Sequence, residues 1–192
     1  MFADLRGFTS MANKLTSEEI QETLNSFLEV MVTRVAGAGG MLDKFLGDGF
    51  MALFGAPFHQ EDHARRALNA AGAIQQAHRA WMKEHAAAGR PFRPLGIGLA
   101  TGETVVGAYG THNRMEYTAL GHVVNLASRL CGAAAAGEIL TTPFTRDAAR
   151  RGAAADSDPA PLSFLPKGKM QFKNIQEMVE VIAIATEEPS HE

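Results

Sequence analysis

"LDKFLGDGFMALFG", Leu42 to Gly55, reads as two short apolar strands folded about Gly47-Asp48-Gly49. Glycine and aspartate suit tight turns, because both tolerate backbone conformations that other side chains resist. The stretch therefore predicts a hairpin. Its unusual feature is charge: Lys44 and Asp48 stand four residues apart around the turn. A surface hairpin accounts for both, and so does a site that holds a nucleotide with one and a metal with the other.

Working outward, Thr16 and Glu19 form a capping-box pattern. Ile20, Leu24, Phe27, Leu28, Met31 and Val35 then recur at helical spacing, and the glycines from Gly37 to Gly40 end the helix. Downstream, "QEDHARRALNAAGAIQQAHRAWMKEH" predicts a long alanine-rich amphipathic helix, and "RPLGIGLATGETVVGAYG" two short strands with glycine corners. "MEYTALG" follows as a strand, "HVVNLASRLCGAAA" as a helix, "EIL" as a strand and "TPFTRDAARRG" as a helix. "AAADSDPAP" is a loop, and the tail "LSFLPKGKMQFKNIQEMVEVIAIA" ends in alternating apolar strands. Strands and helices alternate, yet hairpins are present, so the expected fold class is α+β, a mixed sheet with helices packed on it. The whole of 1–192 is expected to be one domain, which its length allows. The opening strand reaches a charge at its fourth residue and looks clipped. The chain is therefore expected to be excised from a longer one, with an upstream sensor domain left out.

A hydrophobic fraction of 46% and a charged fraction of 20% belong to an ordinary globular protein. A net charge of -3 recommends neither nucleic acid nor an anionic membrane as a partner. No apolar run approaches the roughly 18 residues of a membrane span. Cys131 is the single cysteine, so no intrachain disulfide framework exists and a reducing, cytoplasmic location is expected.

Most isolated candidates for chemistry fade on inspection. His59 and His63 in "HQEDH" would share a helix face, but neither zinc-helix pattern nor a third ligand accompanies them. "GLATGETVVGAYG" lacks the lysine that ends a P-loop, and neither Ser128 nor Ser163 has a nucleophile elbow around it. Asp4 is harder to set aside. It ends an apolar strand and precedes "LRGFTS", a turn whose successive N–H groups could cradle phosphate oxygens. With Asp48 on a neighbouring strand end, the two carboxylates are what paired Mg²⁺ ions require. Asn125 and Arg129, four apart, share one helix face and supply donors of the kind phosphoryl transfer uses.

"FADLRGFTS", "LDKFLGDGFMALFG", "YTALGHVVNLASR" and "KGKMQFKNI" together resemble, in order and at fitting distances, the class III nucleotide cyclase catalytic domain. The resemblance spans nearly the whole chain and implies a ferredoxin-like, palm-type core working as a head-to-tail homodimer with composite active sites between subunits. It implies that Asp4 and Asp48, with the carbonyl of Leu5, hold two divalent cations, Mg²⁺ or Mn²⁺. Amides of Gly7, Phe8 and Thr9 would hold the β- and γ-phosphates of ATP, and Lys173 would contact the triphosphate. Lys44 and Thr118 match the purine-reading positions, and Asn125 and Arg129 the pair that orients the ribose and stabilises the transition state. Many members carry aspartate where Thr118 stands. Threonine there resembles a subgroup of adenylate cyclases that includes bicarbonate-responsive ones. His122 stands where bacterial relatives often have aspartate, and Asn174 where glycine is common. The implied reaction is ATP to 3′,5′-cyclic AMP and pyrophosphate. The alternatives are a guanylate cyclase, for which Lys44 is the wrong residue, and an inactive regulatory or dimerisation module, although no metal aspartate or Asn/Arg residue is missing.

Overall fold

The structure, a computed structural model, describes residues 1–87, 93–152 and 162–185. In chain order these form β1 (Phe2–Leu5), α1 (Phe8–Ala12), α2 (Ser17–Gly37), β2 (Met41–Leu46), β3 (Gly49–Leu53), α3 (His63–Ala87) and β4 (Leu95–Gly98). There follow β5 (Val105–Thr111), β6 (Arg114–Leu120), α4 (His122–Ala133), β7 (Ile139–Thr141), α5 (Pro143–Arg151), β8 (Phe164–Met170) and β9 (Val179–Ile184).

The main sheet runs β2-β3-β1-β4-β7-β9-β8. Its first part, β1-α2-β2-β3-α3-β4, has the connectivity and strand order of a ferredoxin-like unit. The capping box forms as expected: Glu19 N–H donates to Thr16 Oγ1 (3.2 Å) and Thr16 N–H to Glu19 Oε2 (2.8 Å). Helix α2 buries Phe27, Met31 and Val35, and α3 buries Leu68, Ile74 and Trp81, so the two cover one face of the sheet.

The other face takes α4, which lies close enough to β4 that a Cβ on Gly98 would run into the backbone of Ala127 and Cys131. Only glycine permits that approach. A second, smaller cluster around Leu130, Leu140, Phe172 and Val181 seals this end.

The two strands read in "RPLGIGLATGETVVGAYG" form as β4 and β5, and they lie in different sheets: β4 is central in the main sheet, whereas β5 pairs with β6 in a separate two-stranded arm. Short apolar runs announce strands but carry no record of their partners. The loop expected at 153–161 lies outside the described residues.

Candidate active site

Antiparallel pairing places Asp4 opposite Gly49, so Asp48 at the hairpin turn comes beside it. Gly49 is required here, because an added Cβ would strike the Ala3 carbonyl and come within 3.0 Å of Asp4 Oδ1. Partial burial and the charge of Asp48 both push the Asp4 carboxyl above the usual carboxylate range, and Arg6 opposes them. Arg6 reaches Asp4 Oδ2 at 3.4 Å through Nη1, and its Nη2 donates to the Cys131 carbonyl on α4. Next along the chain, Gly7 takes φ 72 and starts α1, with Phe8 buried and Thr9 exposed.

Two adjacent hard-oxygen carboxylates fit a divalent cation such as Mg²⁺, which is commonly held by one or two carboxylates plus substrate phosphates. The raised Asp4 carboxyl supports that fit, since a cation between the two would relieve their repulsion. No group of three or more His, Cys, Asp or Glu arranged for a metal occurs among the described residues.

A second cluster forms where β2 faces β6. Lys44 Nζ donates to Glu116 Oε2 (3.1 Å) and lies 3.6 Å from Asp43 Oδ2, while Thr118 Oγ1 donates to the same Asp43 oxygen (3.0 Å). The bond to Glu116 is the main reason the Lys44 ammonium is held above its ordinary pKa. Glu116 also receives Arg114 Nη2 (2.8 Å). Lys44 and Thr118, expected to act together, are thus brought together through a shared carboxylate.

Beside this cluster is a cavity of about 100 Å³ lined by Phe2, Met51, Ala119, Val124 and His63. Met51 is the register partner of both Phe2 and Lys44, and Ala119 follows Thr118, but neither Lys44 nor Thr118 lines the cavity itself. Burial, and secondarily the charge of His59, lower the pKa of His63.

Asn125 and Arg129 stand exposed on α4, as does His122 at its first turn. Lys173 is exposed in the turn after β8, pinned between buried Phe172 and Ile175. The next residue, Asn174, has φ 65, a left-handed conformation that glycine adopts freely and asparagine better than most others. The departure from the glycine expected there therefore keeps the backbone path. Within one chain the structure groups Asp4 with Asp48, and Lys44 with Thr118; no direct contact joins Asn125, Arg129 or Lys173 to either pair among the described hydrogen bonds.

Asp43, Glu116 and Arg6 were not singled out in the sequence. The Asp43-Lys44 dipeptide carried a usable signal: two charges side by side in an apolar strand break its alternation, which a bulge can cause.

Comparison with known proteins gives the family. Residues 1–179 match the family described as "Adenylate and Guanylate cyclase catalytic domain". The chain is similar to the adenylate cyclase, terminal-differentiation specific, of Dictyostelium discoideum, at 37% identity over 186 residues, covering 93% of this chain and 8% of that protein. It is also similar to adenylate cyclase 1 of Rhizobium meliloti, at 34% identity over 132 residues, covering 69% of this chain and 20% of the relative. It thus spans a small part of the length of these relatives. Among solved structures, the adenylyl cyclase CyaB from P. aeruginosa superposes with a TM-score of 0.88 at 30% identity, covering 100% of this chain and 94% of that one. A guanylyl cyclase superposes with a TM-score of 0.84 at 33% identity, covering 98% and 92%. With both the match over residues 1–179 and the shared fold in hand, the chain belongs to the adenylate and guanylate cyclase catalytic domain family.

Proposed function

We propose that this chain is an adenylate cyclase domain, converting ATP to 3′,5′-cyclic AMP and pyrophosphate. The observation that carries the proposal is the pairing of Lys44 and Thr118 through Asp43 across β2 and β6. A lysine ammonium donates to a bare ring nitrogen, which adenine has and guanine replaces with N–H. The similarity to a guanylyl cyclase at 33% identity favours a second reading, turnover of GTP, and Lys44 argues against it.

Divalent cations held by Asp4, Asp48 and the Leu5 carbonyl would supply Lewis-acid activation of the ribose 3′-OH and charge neutralisation on the triphosphate. The chain's own groups do the rest. Main-chain N–H groups of Gly7, Phe8 and Thr9 bind β- and γ-phosphate oxygens. Asn125 holds the ribose, so that the 3′-oxygen lies in line with the α-phosphorus and opposite the departing oxygen. As the new O–P bond forms and the α–β bridge breaks, Arg129 meets the charge on the α-phosphate, and Lys173 helps hold the pyrophosphate. One such donor is commonly worth about 10²–10³ in rate. The 3′-hydroxyl proton passes to solvent water in the step, and no side chain becomes covalently attached.

The site is completed by a second copy in head-to-tail arrangement: one subunit gives Asp4 and Asp48, its partner Lys44, Thr118, Asn125 and Arg129. Exposed Phe45, Leu46, Val105, Met115, Tyr117 and Leu120, on the β2–β3 hairpin and the β5–β6 arm, support such an interface. No helix among the described residues is long and apolar enough to cross a membrane.

The test is turnover of ATP and GTP in parallel by the purified chain, with Mg²⁺ and with Mn²⁺. Cyclic AMP should be the main product; cyclic GMP in its place would reverse the substrate, and neither product would leave only a binding module. Exchanging chloride for bicarbonate at fixed pH in the same assay checks the regulation implied by Thr118, and an unchanged rate removes it.

A further inference from the structure

We propose that Asp43 is a specificity-positioning residue: its buried carboxylate accepts the hydrogen bond that the Thr118 hydroxyl donates, and so obliges the Thr118 oxygen to accept a hydrogen bond from the base. The inference rests on the adenylate cyclase reading and deepens it.

The geometry begins with a register shift between Leu42 and Lys44, where β2 carries one more residue than β3. In a regular strand, neighbouring side chains point to opposite faces. The bulge at Asp43 breaks that rule. Asp43 and Lys44 therefore both reach β6, one to Thr118 and the other to Glu116, residues two apart and on a common face. The Asp43 side chain is 0% exposed, so water cannot replace its partners.

A carboxylate only accepts hydrogen bonds. The 3.0 Å contact between Thr118 Oγ1 and Asp43 Oδ2 therefore uses the single hydroxyl proton of Thr118. What remains on Thr118 Oγ1 is its lone pairs. Asp43 Oδ1 is itself buried without a hydrogen-bond partner, so Asp43 acts through Thr118 and does not meet the base. An acceptor beside a lysine donor complements a base edge with an amine next to a bare ring nitrogen. It repels a carbonyl oxygen next to a ring N–H. Threonine alone would be indifferent, since a free hydroxyl can turn either way. The carboxylate behind it removes the choice.

Asp43→Asn keeps the side-chain shape while adding an N–H₂ that can donate to Thr118 Oγ1, freeing the hydroxyl proton to face the base. In the homodimer assayed with Mn²⁺, kcat/KM for ATP should fall roughly ten- to a hundredfold, and the GTP/ATP ratio should rise. The decisive probe is purine riboside 5′-triphosphate, which has hydrogen in place of the adenine amine. Wild type should use it poorly, and Asp43→Asn should change its turnover little, because the group being read is gone. In a Thr118→Val background, Asp43→Asn should cost nothing further. Thr118→Val alone, with Asp43 intact, should erase the preference for ATP over the amine-free analogue. Equal loss on ATP and the analogue would mean that Asp43 is merely structural, and so would a retained preference in Thr118→Val; either result overturns the proposal. A wild-type chain that makes no cyclic AMP fails the adenylate cyclase reading itself. Normal cyclic AMP formation with Asp43→Asn indistinguishable from wild type fails only the role of Asp43.

Discussion

The two ends of the proposed nucleotide site, a base end and a metal end, are built on opposite principles. At the base end, Lys44, Thr118, Asp43 and Glu116 are linked across β2 and β6, with charges of opposite sign and a fully buried carboxylate at the centre. At the metal end, Asp4 and Asp48 carry like charges, Asp4 is 43% exposed in its side chain, and its carboxyl is pushed up partly by its neighbour. The base end is preorganised by the chain alone. The metal end holds two groups in mutual repulsion, which a cation would turn into attraction. Specificity gains from a rigid arrangement, because a wrong base then leaves buried groups unpaired. Binding of a cation and a triphosphate gains from charge that the protein has not already neutralised.

The sharpest way to break this contrast is at the metal end. Asp48→Ala should lower kcat by about 10³ or more while leaving the fold intact, since it removes a proposed cation ligand and a like-charge repulsion together. Mixing it with Asn125→Ala should restore up to about a quarter of wild-type activity. With random pairing, half the dimers are mixed, and each of those has one undamaged cleft of two. A mixture as inactive as its components, with subunit exchange demonstrated, would place the whole site within one chain.

At the base end the expected effect is smaller and selective. Lys44→Glu with Thr118→Cys should cut cyclic AMP formation roughly ten- to a hundredfold while raising the GTP/ATP preference, measured as the ratio of kcat/KM values. Retention of wild-type ATP turnover would show that Lys44 does not read the base.

The smallest effect lies away from both ends and concerns stability alone. His78 is fully buried between α2 and α3 against Phe27 and Trp81, neither ring nitrogen has a hydrogen-bond partner, and burial lowers its pKa from 6.5 to about 4. The unfolded chain therefore binds a proton between those values that the folded chain refuses. Stability from this group is complete above pH 6.5 and falls as the pH drops toward 4, by up to about 3 kcal/mol. Chemical denaturation across that range should show the decline, and His78→Phe should flatten it. An equal decline in both proteins would assign it to other groups.

The lesson for reading the sequence differs between the ends too. Asp4, Asp48 and the turn from Gly7 to Thr9 lie in short motifs whose chemistry is visible in a line of text. The hairpin is written in its apolar strands and in Gly47-Asp48-Gly49, but the antiparallel pairing of β1 with β3 that sets Asp4 beside it is not. Asn125 and Arg129 share a helix face by spacing alone.

What the sequence determined by itself is therefore local: the capped helix α2, the hairpin, the long α3, and a family resemblance that the comparisons bear out. The tertiary structure decided which strands share a sheet, that β5 and β6 leave the main sheet as an arm, and that Asp43 turns inward beside Lys44. Apolar periodicity fixes which face of a strand is buried but not its partner, since any apolar face can satisfy any other. A bulge reverses even that facing, and its position depends on the fit of two strands to a third far along the chain. The contact between Asp43 and Thr118 spans 75 residues, and only folding brings that carboxylate to that hydroxyl.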